Sequence, residues 1–335
     1  MQHSSVARLS GAIGQRLSAV AAIWVASSLT LAVVMFGWQT HQLGGYARVD
    51  AGRLLPALGF ASVSFALRIA RFHFFLHGVG ARPTLVSSAC AQLAGFSLSV
   101  TPGKVGELYK CCLIEQSTGI PAARTAPIVL FEKGMDALAF ATLAVLAAAM
   151  LPNIAGSVSI AARSLVVISL LTGLGLIALR VTRPEKIRLA LGHFLGGSPL
   201  GRRFIDSATL ALAGSIDLLN PLTLCRNLLL SLVARACDGL TLGWTAAALG
   251  INLPLLAGVF VLNSSGVLGG FSMLPGGIGV VEAAMSLLLA SFGAPVTAAL
   301  ATALAARMLS FWLWVALGLV ALIRSGPSAA QESSS

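Results

Sequence analysis

Apolar positions along the chain gather into long runs, at approximately 17–38, 55–77, 84–100, 123–150, 160–180, 222–249, 254–274, 277–292 and 296–323. Several reach the roughly 20 residues that a helix needs to cross about 30 Å of hydrocarbon. A soluble core helix rarely stays apolar on every face over such a length. The pattern predicts an all-α polytopic membrane protein. Two places depart from simple spans. The run 84–100 is short and ends in Thr101-Pro102-Gly103-Lys104, and 254–274 ends in Leu274-Pro275-Gly276-Gly277. A Pro-Gly step breaks a helix, because proline lacks the N–H and glycine tolerates unusual dihedrals. Such a break cannot face lipid, so it must be buried in protein or line a wet cavity.

The two breaks resemble each other. Gly95-Phe96-Ser97 leads to Pro102-Gly103-Lys104-Val105-Gly106-Glu107, and Gly270-Phe271-Ser272 leads to Pro275-Gly276-Gly277-Ile278-Gly279 and Glu282. Downstream, Gly119-Ile120-Pro121 matches Gly293-Ala294-Pro295, and Lys133 falls opposite Arg307, at separations of about 173 residues. Matches in one order argue for an internal duplication, with halves at about 84–150 and 254–323.

Basic residues give the orientation. Arg8 and Arg16 precede the first run, while Arg68, Arg71 and Arg82 are read as a cluster around the loop after the second. The loop 181–221 holds Arg183, Lys186, Arg188, Arg202 and Arg203, and Arg324 follows the last run. The positive-inside rule then puts both termini in the cytoplasm and the uncharged loops 151–160 and 250–254 outside. These assignments agree when each Pro-Gly segment is a re-entrant hairpin, about 84–116 from the cytoplasm and about 254–292 from outside. Three full spans between them invert the second copy. The expectation is a single transmembrane domain over 17–324, with about six full helices and two opposed broken hairpins. A cytoplasmic tail at 1–16 and a disordered one at 325–335 flank it. A competing topology makes each broken segment two full crossings. The basic segment 184–219 reads as an ordinary solvated loop with one interfacial helix.

Composition narrows the function. Charged residues make up only 10% of the chain and apolar ones 57%, against about 25% charged in a soluble domain. The net charge of +11 sits in loops between apolar runs, so it reads as topology signal and anionic-lipid contact, with no nucleic-acid partner. The run 17–38 is too long for a signal peptide. Cys90, Cys111, Cys112, Cys225 and Cys237 form no C-x-x-C and read as small apolar residues. His73 and His77 lack a third ligand, and no Walker A, dinucleotide or G-x-S-x-G motif appears. No metal, no cofactor and no catalytic residue are expected.

A charge at membrane depth is expensive and therefore a functional candidate. Glu107, Glu132, Asp136, Asp238 and Glu282 fall in or beside apolar runs, with Lys104, Lys133, Arg235 and Arg307 as basic partners. Glu132 and Asp136, four residues apart, share a helix face. That face is either a polar track for a headgroup or cation, or a buried ion pair with Lys133 or Arg307. Arg235 and Asp238 can neutralise each other. The breaks at Pro102, Gly103 and Gly106, and at Pro275, Gly276, Gly277 and Gly279, free backbone N–H groups at helix N-termini that can hold an anion.

The stretches TPGKVGELYK at 101–110, FEKGMDAL at 131–138 and LPGGIGVVEAA at 274–284 resemble the flippase-like membrane domain of bacterial lysylphosphatidylglycerol synthases, over roughly residues 15–325. The resemblance implies an inner-membrane protein that moves a phospholipid, hopanoid or lipid-linked amphiphile between leaflets. It also implies that Pro102, Gly103, Gly106, Glu107, Glu132, Asp136, Pro275, Gly276, Gly279, Glu282 and Arg307 are motif positions. Two-domain relatives add an aminoacyl-transferase domain. With the chain ending at Ser335, lysyl transfer is not expected. The leading expectation is a lipid translocase in which Lys104 and Arg307 contact an anionic headgroup, while Glu107, Glu132, Asp136 and Glu282 shape the cavity or carry protons. Lipid-biosynthesis enzymes and a second copy of the chain are candidate partners. The alternatives are a secondary transporter of a small polar solute and a membrane-embedded lipid-modifying enzyme.

Overall fold

The computed structural model describes residues 50–101, 106–151, 163, 167, 171, 199–272 and 274–324. The expected run 17–38, most of 160–180, Lys104, and the first break's Pro102 and Gly103 lie outside them. Every regular element described is helical: α1 (Ala51–Gly78), α2 (Leu85–Ser97), α3 (Tyr109–Thr118), α4 (Ala122–Thr125), α5 (Pro127–Met150), α6 (Pro199–Leu218), α7 (Pro221–Ala248), α8 (Leu255–Phe271), α9 (Val280–Ser291), α10 (Val296–Arg307) and α11 (Leu313–Arg324). A tight 3-10 turn at Leu98–Val100 follows α2, another at Pro275–Gly277 follows α8, and a π-turn at Met308–Trp312 joins α10 to α11.

Among the described residues, Gly52–Gly78 and Val296–Ile323 are each long and apolar enough to cross a membrane. The α6–α7 pair qualifies as well, but it bends by 81° at Leu219 and Asn220. α5 has the length, at 24 residues, yet carries Glu132, Lys133 and Asp136 in its first half. α2, α8 and α9 are apolar but short.

Helices α1 and α7 are counterparts. Each is 28 residues long and opens on a side-chain cap, Asp50 accepting from the Gly52 N–H and Asn220 from the Leu222 N–H, both at 3.0 Å. Each closes on a glycine with positive φ, Gly80 at 83° and Gly250 at 79°. The next residue then bonds back into the last turn, Ala81 to the Leu76 carbonyl and Ile251 to that of Ala246, both at 2.9 Å. Asn220 follows Asp50 by 170 residues, and Gly250 follows Gly80 by the same 170. The two helices pack antiparallel: the Asp50 N–H bonds to the Ala248 carbonyl at 3.0 Å, and the Thr241 hydroxyl reaches the Ala57 carbonyl at 3.3 Å.

α2 packs on α11, and α8 packs on α5. Small residues permit the closeness, as expected where lipid offers no hydrophobic drive between helices. A side chain at Gly318 would strike the Leu93 carbonyl, and one at Gly266 the Phe140 ring of α5. Two apolar clusters result, one around Phe72, Phe75, Leu98, Val100 and Trp312, the other around Leu242, Phe260, Val281 and Leu289.

Candidate functional site

The two broken turns meet. The Leu98–Val100 turn packs against Pro275–Gly277, with Val100 Cγ1 3.6 Å from the Cβ position of Gly276. Gly276 has φ 60°, a left-handed conformation that any Cβ would strain, and the Phe311 ring lies 3.0 Å from that same position.

Each break is tied by polar groups. At the second, Glu282 accepts from the Gly279 N–H at 2.8 Å and from Arg307 Nε at 2.9 Å. Arg307 Nη2 donates to the Gly276 carbonyl at 2.6 Å, and its guanidinium covers the Phe311 ring at 4.2 Å. One arginine thereby satisfies a carbonyl and a carboxylate that a broken helix leaves open. At the first break, the Thr101 hydroxyl donates to the Leu98 carbonyl at 2.7 Å and accepts from the Gly106 N–H at 2.9 Å. Lys133 donates to Glu107 at 2.6 Å. The bases matched in sequence, Lys133 and Arg307, therefore each hold the glutamate of their own break.

Between the halves lies a larger charge network. Arg71 of α1 donates to Asp136 of α5 and, at 2.6 Å, to Ser231 of α7. It also lies 3.6 Å from Glu132. Arg235 of α7 takes the other oxygen of Asp136 and donates to Asp238 at 3.1 Å. Arg68 pairs with Asp238. Lys110 of α3 pairs with Glu132, donates to Gln92 at 3.1 Å, and sits over the Phe72 ring. Its aliphatic stem crosses Gly95, where a Cβ would stand 2.9 Å from the Lys110 Cβ. None of these seven charged side chains is exposed; Lys110 is 1% and Glu132 2% accessible. Buried charges persist only when paired and hydrogen-bonded, and five helices supply the partners.

The profile of the family described as "Lysylphosphatidylglycerol synthase TM region" matches residues 17–318, nearly the whole chain. The chain belongs to this family. A "UPF0104 membrane protein" of Methanothermobacter thermautotrophicus is 34% identical over 92 residues, 28% of this chain and 28% of that relative. The comparison thus spans about a quarter of the relative's length. Family and apolar helices together make this a membrane protein.

In this family member, the expected residues Glu132 and Asp136 do share a buried face, but their partners differ from those expected. Glu132 pairs with Lys110, and Asp136 with Arg71 and Arg235; Lys133 and Arg307 are engaged at the breaks. Arg235 and Asp238 pair with each other and with that network too. Sequence reasoning missed three bases. Arg68 and Arg71, read as loop topology signals, are 8% and 3% exposed inside α1, where ion pairing outweighs the pull of water. Lys110 stood in the TPGKVGELYK motif but was assigned nothing. The signal was present for Arg68 and Arg71: three residues apart, they project from one face of an apolar helix. His73 bonds Ser88 at 2.9 Å and lies against His77, and no metal-holding cluster occurs among the described residues.

Proposed function

We propose that the chain moves a phospholipid, hopanoid or lipid-linked amphiphile between leaflets of the bacterial inner membrane, with both termini cytoplasmic and no covalent chemistry of its own. The observation that carries the reading is the meeting of the two broken turns beside a buried charge network. Irregular backbone and charges at membrane depth are tolerated where they are buried in protein or line a route for a polar group. A headgroup would pass between the hairpins while its acyl chains stay in lipid.

The proposal includes an inverted repeat, with halves running from about α1 to α5 and from α7 to α11. Its support is the antiparallel packing of the matched helices α1 and α7, and the packing of α2 on α11 and of α8 on α5. Opposed broken hairpins around one site are the arrangement by which transporters alternate access. Arg307–Glu282 and Lys133–Glu107 would then be matched latches, one on each hairpin.

Purified protein in vesicles carrying a headgroup-labelled fluorescent phospholipid tests this. A membrane-impermeant reductant bleaches only outer-leaflet probe in protein-free vesicles, and is expected to bleach both leaflets when the protein is present. Exchange no faster than in protein-free vesicles, together with saturable uptake of a polar solute, would overturn the reading in favour of a solute transporter. A covalently altered lipid would overturn it in favour of an enzyme.

A further inference from the structure

The charge network of α1, α3, α5 and α7 does not balance. With every group in its usual ionisation state it holds four bases, Arg68, Arg71, Lys110 and Arg235, against three carboxylates, Glu132, Asp136 and Asp238. The pairs at the two breaks, Lys133–Glu107 and Arg307–Glu282, each join one base to one acid. One positive charge is therefore left over among the described residues, away from water. A buried charge left without a counter-charge is costly until something neutralises it.

The network's hydrogen bonding is also incomplete, with two donors and one acceptor, Glu132 Oε1, left without a hydrogen-bond partner among the described residues. The Nε–H groups of Arg71 and Arg235 are fully buried and have no acceptor among the described residues. Both guanidiniums converge on Asp136, one at each oxygen. Two arginines gathered at one carboxylate, each with a donor to spare, supply the charge and the N–H groups that the several oxygens of a phosphate accept.

We propose that this network is a binding site for one singly charged phosphate-type anion, the phosphodiester of a lipid headgroup or free phosphate. The inference rests on the translocase reading for the lipid source, and deepens it by naming the substrate's charge. The surplus of one selects a headgroup of net charge −1 over a zwitterionic one, whose cation would add to the surplus. Arg68 and Lys110 set the count without needing to touch the anion.

The test is binding to the full chain in neutral detergent, followed by tryptophan fluorescence. The probes are short-chain phosphatidylglycerol, short-chain phosphatidylcholine and inorganic phosphate. Arg68→Met removes one base and leaves Asp238 with Arg235; it is expected to weaken the anionic probe by about tenfold. Glu132→Gln removes one acid and leaves Lys110 with Gln92; it is expected to tighten binding by a similar factor. The double variant restores the count and should return to the parent affinity, a reversal that loss of packing cannot produce. The double variant also keeps the test decisive should one single variant lose its fold.

Charge-ordered binding of phosphatidylglycerol, with phosphatidylcholine weak, assigns the site to headgroups. The same order for inorganic phosphate alone assigns it to the free anion. Affinities that ignore the charge count with both anions overturn the site. Leaflet exchange without charge-ordered binding sinks this inference alone, and charge-ordered binding without exchange sinks the translocase reading alone.

Discussion

Asp136 is the residue on which the interior turns. It joins α5 to α1 through Arg71 and to α7 through Arg235, so removing its carboxylate strands two buried guanidiniums at once. Breaking a buried pair from one side costs about 3–5 kcal/mol, because the remaining charge loses its compensation. Asp136→Ala should lower stability by at least that, read as an earlier unfolding midpoint in detergent. Asp217→Ala, at the half-exposed pair with Arg124, should cost well under about 1 kcal/mol. At this scale the sequence was half legible. A carboxylate inside an apolar run announces itself, because nothing else explains it. A base near the end of such a run does not, since arginines there serve topology as often as burial. Arg68, Arg71 and Lys110 needed the packing of other helices to show which role they have.

Helix boundaries were easier to read than helix partners. The run 55–77 became Ala51–Gly78, and 222–249 became Pro221–Ala248, the extra residues being supplied by the caps Asp50 and Asn220. The run 123–150 divided into α4 and α5, where Pro127 opens the longer helix. The segment 184–219 carries α6 in its second half, and the 81° bend into α7 fits a helix lying along the membrane surface. Its attachment depends on Gly214, since a Cβ there would strike the Arg124 carbonyl of α4. Gly214→Val should therefore lift α6 away. Hydrogen exchange should quicken across 205–218 and stay slow across the α7 interior; equal protection in both segments would show that α6 is held elsewhere.

At the scale of the molecule, the Pro-Gly repeat was visible in sequence, but its extension to α1 and α7 was not. Those helices share few identical residues, and their likeness lies in caps, length and the positive-φ glycines. The proposed inverted arrangement makes a direct prediction. Arg82 and Asn252, exposed residues in the matched turns after α1 and α7, should lie on opposite sides of the membrane. In a cysteine-free background, Arg82→Cys should react with an impermeant thiol reagent only from the cytoplasmic side, and Asn252→Cys only from the other. Labelling of both from one side would refute the inversion. The expected six spans rest partly on 17–38 and on 160–180, of which only 163, 167 and 171 are among the described residues.

The wide turn at Met308–Trp312 carries a surplus amino acid in a helix whose partner, α5, runs without one. One additional residue swings everything beyond it by about 100° around the axis. The stacking of Trp314 on Phe65 at 4.4 Å and the fit of Gly318 against Leu93 both lie past that point. The contacts of α11 with α1 and α2 are thus phased by a single-residue offset, which re-aims a whole helix face at the cost of one amino acid.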